Sequence, residues 1–264
     1  MQPAQMHFYT YDGSFEGLLT VVFEAFDRKA WPTAIEQEHL AQPSMFGDTI
    51  AVVTDEGKAA RVWQGLQKKL SRSAQQALYH TYLWEQPKFE QLIFDYIKLV
   101  FESKISIEDN FAAPCVLQVQ QAAKQVHREK HRMEAFVRFQ KAADDLFYAT
   151  ISPDFNVLPL IIKHFEKRYA DQRWAIYDTK RNYGAYYDLK TVSFVNLELS
   201  PQQRHAALAD VHKHQEEDKY QQLWQVYFDH VNIPERKNPK LHLRHIPRRY
   251  WKYLSEKQPR QLPT

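Results

Sequence analysis

One cysteine, Cys115, occurs among the 264 residues of this chain. A lone cysteine forms no intramolecular disulfide, so the fold needs no oxidising compartment and the cytoplasm is the expected location. Glycine is also scarce, with six residues, and neither a P-loop nor a dinucleotide fingerprint is present. No stretch approaches the roughly 20 consecutive apolar residues that cross a bilayer, and the first residues, MQPAQMHFYTYDG, lack the pattern of a secretory signal. These shortages argue against a disulfide scaffold, a glycine-loop nucleotide site and a membrane protein.

Apolar residues are plentiful enough for a core, since 44% of the chain is hydrophobic and 14% is aromatic. A spacing of 3.6 residues predicts amphipathic helices over residues 15–26, 55–70, 73–84, 87–102, 114–132, 156–169 and 201–231. In the first of these helices, the face predicted to be buried contains Leu18, Leu19, Val22 and Phe23. Alternation with a period of two predicts strands over residues 8–11, 49–54, 135–139, 146–151, 174–178, 184–188 and 192–197.

These patterns predict an α+β fold. It has a helical N-terminal part with a short strand pair, a central antiparallel sheet of about five strands, and C-terminal helices followed by a basic segment. A boundary near residue 110 would divide the chain into residues 1–110 and 111–264. No linker-like stretch marks that boundary, so one continuous domain is the alternative.

Positive charge is concentrated at one end of the chain. Residues 232–264 hold nine Lys and Arg against two acidic residues, a net charge of +7, whereas the whole chain carries only +3. Residues 1–231 therefore hold 26 bases and 30 acids, a net charge of −4. Such asymmetry is typical of a segment that faces a polyanion, attached to a body near neutrality.

The stretch 234–254 interleaves these cations with aromatic rings and prolines. Guanidinium and ammonium groups bind phosphates, and aromatic rings stack on unpaired bases. The predicted nucleic-acid contacts are Arg236, Lys237, Lys240, Arg244, Arg248, Arg249, Tyr250, Trp251 and Lys252. A second basic concentration, at residues 124–138, adds Arg132 and Arg138. The alternative is a structural strap, in which Tyr250 and Trp251 pack back against the body of the protein.

The histidines do not form a recognisable metal site. His127 and His131 lie four residues apart and share a helix face, but Glu129 does not occupy the glutamate position of the zinc-protease helix motif. A further cluster, His205, His212 and His214, lies in a continuous polar stretch rich in acids. Neither group offers a closed set of four ligands, so we expect no structural metal and no cofactor.

Four residues are candidates for acid–base chemistry: Asp12, Glu16, His131 and Asp178. Asp12 and Glu16 lie one helical turn apart and could form a carboxylate pair, while Asp178 follows a strand, a position where functional residues are common. The structural alternative has Asp12 capping the helix, Glu16 near its positive end and Asp178 capping a turn. His131 would then support the first central strand.

Several stretches resemble one bacterial protein family. They are FYTYDGSFEGLLTVVFEAF at residues 8–26, VHREKHRMEAFVRF at 126–139, FYATISPDFNVLPLIIKHFEKRYADQRWAIYD at 147–178, YGAYYD at 183–188 and ERKNPKLHLRHIPRRYWKYLSE at 235–256. The family is of unknown function and is described as probable DNA metabolism or DNA repair proteins. Its members are typically encoded beside a radical SAM protein with a helix-hairpin-helix element, and some relatives are fused to a uracil-DNA-glycosylase-type domain. The resemblance therefore implies a pathway and a partner, but no reaction.

The first interpretation is a DNA-binding accessory protein in DNA repair or DNA metabolism that acts with a radical SAM partner. An enzyme acting on DNA, either a nuclease or a base-processing hydrolase, is the second. Uracil-type glycosylases carry a water-activating Asp-Pro segment and a His-Pro-Ser loop, and this chain contains neither Asp-Pro nor His-Pro. A protein-interaction module whose aromatic residues dock on a partner is the third.

Overall fold

The computed structural model describes residues 6–41, 48–142, 145–196 and 246–254, together with residues 243 and 257. The helix predicted at 201–231 and the cations Arg236, Lys237, Lys240 and Arg244 lie outside this part of the chain. The fold divides into two compact units, Met1–Arg128 and Glu129–Thr264. The division falls within a long helix, whereas the sequence suggested a boundary near residue 110.

A three-stranded parallel sheet organises the first unit. Its strands are β1 (His7–Tyr11), β2 (Pro32–Gln37) and β3 (Asp48–Ala51), in the order β2-β1-β3. The alternation in the sequence predicted β1 and β3 but no strand at residues 32–37. Buried positions in β2 are three residues apart, at Pro32 and Ile35, so its sequence lacks the alternation that identifies a strand.

Five helices, all of them predicted, follow or connect these strands and pack in the same core. They are α1 (Phe15–Arg28), α2 (Glu56–Lys69), α3 (Arg72–Trp84), α4 (Phe89–Glu102) and α5 (Pro114–Phe136). Three of them begin at a side-chain cap, because Ser14, Asp55 and Ser71 each accept a hydrogen bond from the backbone N–H three residues later. Their apolar stripes enter one core with the strands.

The buried face of α1 agrees with the sequence prediction at three of its four positions. Leu18, Leu19 and Val22 are fully or almost fully buried. Phe23 is only partly buried, and the cationic groups of Lys58 and Arg61 lie over its ring at 5.5 and 5.0 Å from the centroid. The predicted burial is therefore incomplete at Phe23, because long basic side chains of α2 cover its ring.

Glu24 links α1 to α2 and makes stability pH-dependent. Its carboxylate accepts hydrogen bonds from Lys58 Nζ at 2.5 Å and from Arg28 Nε at 2.7 Å, and these bonds lower the pKa of Glu24 below its ordinary value of 4.5. A carboxylate whose pKa is lower in the folded state than in the unfolded state stabilises the fold at a pH above its unfolded-state pKa. This stabilisation is lost as the pH falls through the folded-state pKa.

Glu24→Gln should therefore destabilise the protein at neutral pH, and the difference in the free energy of unfolding from the native protein should shrink in acid. Urea denaturation of both proteins from neutral pH to well below 4.5 measures this, and a constant difference would exclude the ion pair as its cause.

A five-stranded sheet organises the second unit. It contains β4 (Gln140–Lys141), β5 (Phe147–Ile151), β6 (Trp174–Asp178), β7 (Tyr183–Tyr187) and β8 (Val192–Asn196), in chain order across the sheet. The prediction of an α+β fold is confirmed. The prediction of a wholly antiparallel sheet is wrong, because α6 (Leu158–Arg168) connects β5 to β6 and the two strands run parallel. The strand predicted at 135–139 is also wrong, since α5 continues to Phe136.

No helix among the described residues is long and apolar enough to span a membrane.

Candidate nucleic-acid interface

The candidate site lies at the carboxyl ends of β5 and β6. Parallel strands joined by a crossover helix end at the same edge of the sheet, and functional groups gather in the loops that follow them. Here the loops are residues 152–157 after β5 and residues 179–182 after β6. The 3₁₀ helix Arg248–Tyr253, called the basic 3₁₀ helix below, contacts both loops.

Asp178, the last residue of β6, holds the two loops together. Its carboxylate is completely buried and accepts hydrogen bonds from the backbone N–H of Lys180 and from the Arg181 guanidinium, both at 2.9 Å. The same guanidinium donates to the carbonyl oxygens of Pro153 and Asp154, each at 3.3 Å. Asp178 therefore positions Arg181 and caps a turn, which matches the structural alternative for this residue.

Glu129 on α5 is the second buried carboxylate of this edge, and only 2% of its side chain is exposed. Its Oε1 accepts hydrogen bonds from the Tyr250 hydroxyl at 2.5 Å and from the Asp154 backbone N–H at 3.0 Å. Its Oε2 lies 3.5 Å from Arg132 Nη1 and 3.7 Å from Arg249 Nη2. Two hydrogen bonds and two guanidinium groups compensate the burial of this charge.

Inward-facing side chains fix the basic 3₁₀ helix on this edge. Tyr250 is buried, and burial together with its hydrogen bond to Glu129 raises the pKa of Tyr250, so its hydroxyl stays protonated and donates. Arg249 also pairs with Asp154 at 2.6 Å, the Tyr253 and Thr179 hydroxyls lie 3.3 Å apart, and Leu254 is fully buried. The helix is thus attached at both of its ends.

The basic 3₁₀ helix also has a side that faces solvent. Arg248 and Lys252 are exposed, and Arg249 keeps 43% of its side chain exposed. Trp251 is half-buried, because its Nε1 donates to the Ile246 carbonyl at 3.0 Å while Arg248 and Lys257 lie over its ring. The result is a small basic surface around a half-buried tryptophan.

The predicted nucleic-acid residues thus divide into different roles. Arg248, Arg249, Trp251 and Lys252 reach the surface of one short helix, whereas Tyr250 is buried and offers no ring face for stacking. Arg132 belongs to the Glu129 cluster, with 21% of its side chain exposed. Arg138 donates to the Ala135 carbonyl at 2.7 Å and so caps the end of α5. The strap alternative therefore describes Tyr250, and nucleic-acid contact by its exposed neighbours stays a prediction.

Two of the candidate catalytic residues, Asp12 and Asp178, hold turns of the fold. In the first unit, Asp12 accepts from Ser14 and from the Thr54 hydroxyl at 2.8 Å and closes the β1–α1 turn, while Glu16 lies in the first turn of α1. In the second unit, His131 has 83% of its side chain exposed, whereas Asp178 is completely buried. Among the residues that the structure describes, no group of three His, Cys, Asp or Glu side chains could hold a metal ion.

Sequence reasoning missed Glu129, Asp154 and Arg181. Glu129 looked solvent-exposed because it lies in the charged run KQVHREKHR. A signal was nevertheless present, since Glu129 follows buried Val126 by three residues and precedes buried Met133 by four, which places it on the apolar stripe of α5.

Comparison with known proteins gives one family match. The model of DUF4130, a domain of unknown function, matches residues 87–256, and the chain belongs to this family. No curated protein matches the chain.

Proposed function

We propose that this member of the DUF4130 family binds nucleic acid through the basic 3₁₀ helix and serves as an accessory protein in DNA metabolism. The observation that supports the proposal is the attachment of that helix to a buried carboxylate. Tyr250 and Arg249 are tied to Glu129, so the outward cations of the same short helix are held in place before any ligand arrives. Cations that are already ordered lose less conformational entropy on binding than cations on a mobile tail.

The chemistry of the outward surface fits phosphate and an unpaired base. Arg248 and Lys252 are exposed cations four residues apart on the helix, and both can reach phosphate oxygens. Arg249 is already shared between Glu129 and Asp154, so we assign it to holding the helix and give it a smaller part in binding. Trp251 can stack on a splayed base with its exposed part.

The partner remains the one that the family resemblance implies, a radical SAM protein with a helix-hairpin-helix element. Co-purification from cells expressing both proteins tests this part of the proposal. A complex that persists after nuclease treatment supports direct contact, whereas a complex that is lost after that treatment would mean that DNA bridges the two proteins.

Charge removal on the basic 3₁₀ helix should weaken DNA binding and reduce its salt dependence. If Arg248 and Lys252 each neutralise one phosphate, Arg248→Ala/Lys252→Ala should flatten the slope of log affinity against log salt by about 1.8 for duplex DNA. Trp251→Ala should leave the slope unchanged and cost roughly 1–3 kcal/mol of affinity for single-stranded DNA. Fluorescence anisotropy with a labelled oligonucleotide across a salt series measures both effects.

A matched control for this experiment is Lys163→Ala/Lys167→Ala, which removes two exposed cations from α6 in the same unit. This pair should leave the slope unchanged. Equal effects of the two double variants would show that net charge, and not this surface, controls binding. If Trp251→Ala lowers the melting temperature and changes no affinity, the helix is a strap only.

A further inference from the structure

The first unit contains a cleft of about 760 Å³ at the carboxyl ends of β1 and β2, beside the start of α4. Its apolar walls include Ile35, Leu40, Tyr82 and Phe89, and its polar groups include Gln37 and Glu90. The carboxyl edge of a parallel sheet is where α/β proteins bind small ligands. A cleft of this size falls within the range of small-molecule sites.

The burial of Glu90 in this cleft is not explained by the stability of the fold. The residue is only 7% exposed, and burial raises the pKa of its carboxyl. Among the described residues, Gln37 Nε2 donates to the carboxyl at a long 3.4 Å, and the nearby Tyr11 hydroxyl also lowers its pKa. Another acid, Glu36, raises the pKa of Glu90 further, and no ion pair within the described part of the chain involves Glu90. A buried acid without a cation is costly, and an apolar residue would pack there at lower cost.

The neighbours of Glu90 are held in fixed positions. Gln37 is the last residue of β2, and its amide Oε1 lies against Gly13. A Cβ atom added to Gly13 would lie only 3.1 Å from this oxygen. Gly13 has a φ of +86° and its carbonyl accepts a hydrogen bond from the Tyr82 hydroxyl at 2.8 Å. The Tyr11 hydroxyl is buried close to Gln37 and Glu90 and makes no hydrogen bond of ordinary geometry with the described residues. The cleft therefore presents a fixed amide and a buried carboxyl group.

The charge of the lining selects the class of ligand. Glu36, Glu85 and Glu90 are acidic and Lys88 is the one cation among the lining residues, so the cleft does not suit a phosphate. A buried carboxylate accepts from N–H donors, as it does from the exocyclic amine of cytosine or from both nitrogens of a guanidinium group. The aromatic and aliphatic walls suit a flat ligand.

We propose that this cleft binds a small planar ligand whose N–H donor edge pairs with Glu90 and Gln37. Two sources share this chemistry: an amino-bearing nucleobase and a small guanidinium compound. The proposal is independent of the nucleic-acid interface, because every residue that carries it belongs to the unit Met1–Arg128.

The test is titration calorimetry of the full chain with cytidine, guanosine, adenosine, arginine and agmatine. Uridine, which has an imide N–H but no amino or guanidinium group, is the control ligand, and the other five are called donor-bearing compounds below. At least one donor-bearing compound should bind, uridine should bind about tenfold more weakly, and Glu90→Gln should weaken the preferred ligand by about tenfold. Preference for a nucleoside or for a guanidinium compound then identifies the source.

Two further variants distinguish loss of the proposed hydrogen bonds from other causes of weaker binding. Glu38→Gln removes the same charge from an exposed position that does not line the cleft, and it should change the affinity less than twofold, as expected for a screened surface charge. Gln37→Met keeps the side-chain length and removes the amide, and it should also weaken binding, so it replaces Glu90→Gln if that variant does not fold. The proposal is wrong if none of the donor-bearing compounds binds, if uridine binds equally well, or if Glu90→Gln leaves the affinity unchanged.

Discussion

Replacing Glu129 with alanine is expected to lower the free energy of unfolding by about 3–5 kcal/mol. The substitution leaves the Tyr250 hydroxyl and the Asp154 backbone N–H without their buried acceptor, and it leaves Arg132 and Arg249 facing a cavity. Each unsatisfied buried donor costs about 1–3 kcal/mol. Chemical denaturation of the native and variant proteins measures the difference.

Two companion variants make this prediction specific. Glu129→Gln keeps an acceptor for Tyr250 and Asp154 but removes the charge, so its loss should be smaller, about 1–3 kcal/mol. Glu102→Ala removes a glutamate whose side chain is 54% exposed and whose nearest cation, Lys98 Nζ, is 3.9 Å away. That loss should stay below about 1 kcal/mol. A similarly small loss for Glu129→Ala would contradict its role as the buried anchor.

Replacing Trp174 with alanine should destabilise the protein by a similar amount, about 3–5 kcal/mol. Trp174 begins β6 and is completely buried. Its ring stacks on Tyr187 at 5.4 Å between centroids and lies within 6.4 Å of the rings of Phe139 and Phe165. Loss of this ring would open a cavity beneath the strand that ends at Asp178.

The phenylalanine variant separates packing from hydrogen bonding at this position. Among the described residues, the indole Nε1 of Trp174 has no hydrogen-bond partner. Trp174→Phe keeps an aromatic ring and removes this unpaired donor, so we expect a loss below about 2 kcal/mol. Equal losses for phenylalanine and alanine would mean that the indole nitrogen makes a bond that stabilises the fold.

Local patterns predicted most of the elements but not their arrangement. The strand at 174–178 was predicted with the bounds that the structure has, because its buried residues alternate strictly. The direction of pairing was wrong for β5 and β6, because alternation identifies a strand but does not reveal the direction of its neighbour. The predicted helix between them was the better guide, since a crossover helix joins parallel strands.

The sequence identified the segment that forms the candidate site, but it did not show which of its side chains are buried or what they contact. Charge and aromatic content identified the segment that carries Arg248 and Trp251, and both reach the surface to a greater or lesser degree. Which ring is buried could not be predicted, because Tyr250 and Trp251 are adjacent aromatic residues in a short helix without a long apolar stripe. The partner of Tyr250 lies 121 residues away in the chain, at Glu129, and no local pattern reports such a contact.

Hydrogen–deuterium exchange of the full chain, with and without saturating duplex DNA, tests the proposed interface most directly. Residues 246–254 should exchange more slowly in the presence of DNA, together with the segments that hold them, residues 152–157 and 179–182. The exchange in Arg248→Ala/Lys252→Ala should change much less at the same DNA concentration. Protection confined to other parts of the chain, or none at all under conditions where DNA binds, would contradict the assignment of nucleic-acid binding to the basic 3₁₀ helix.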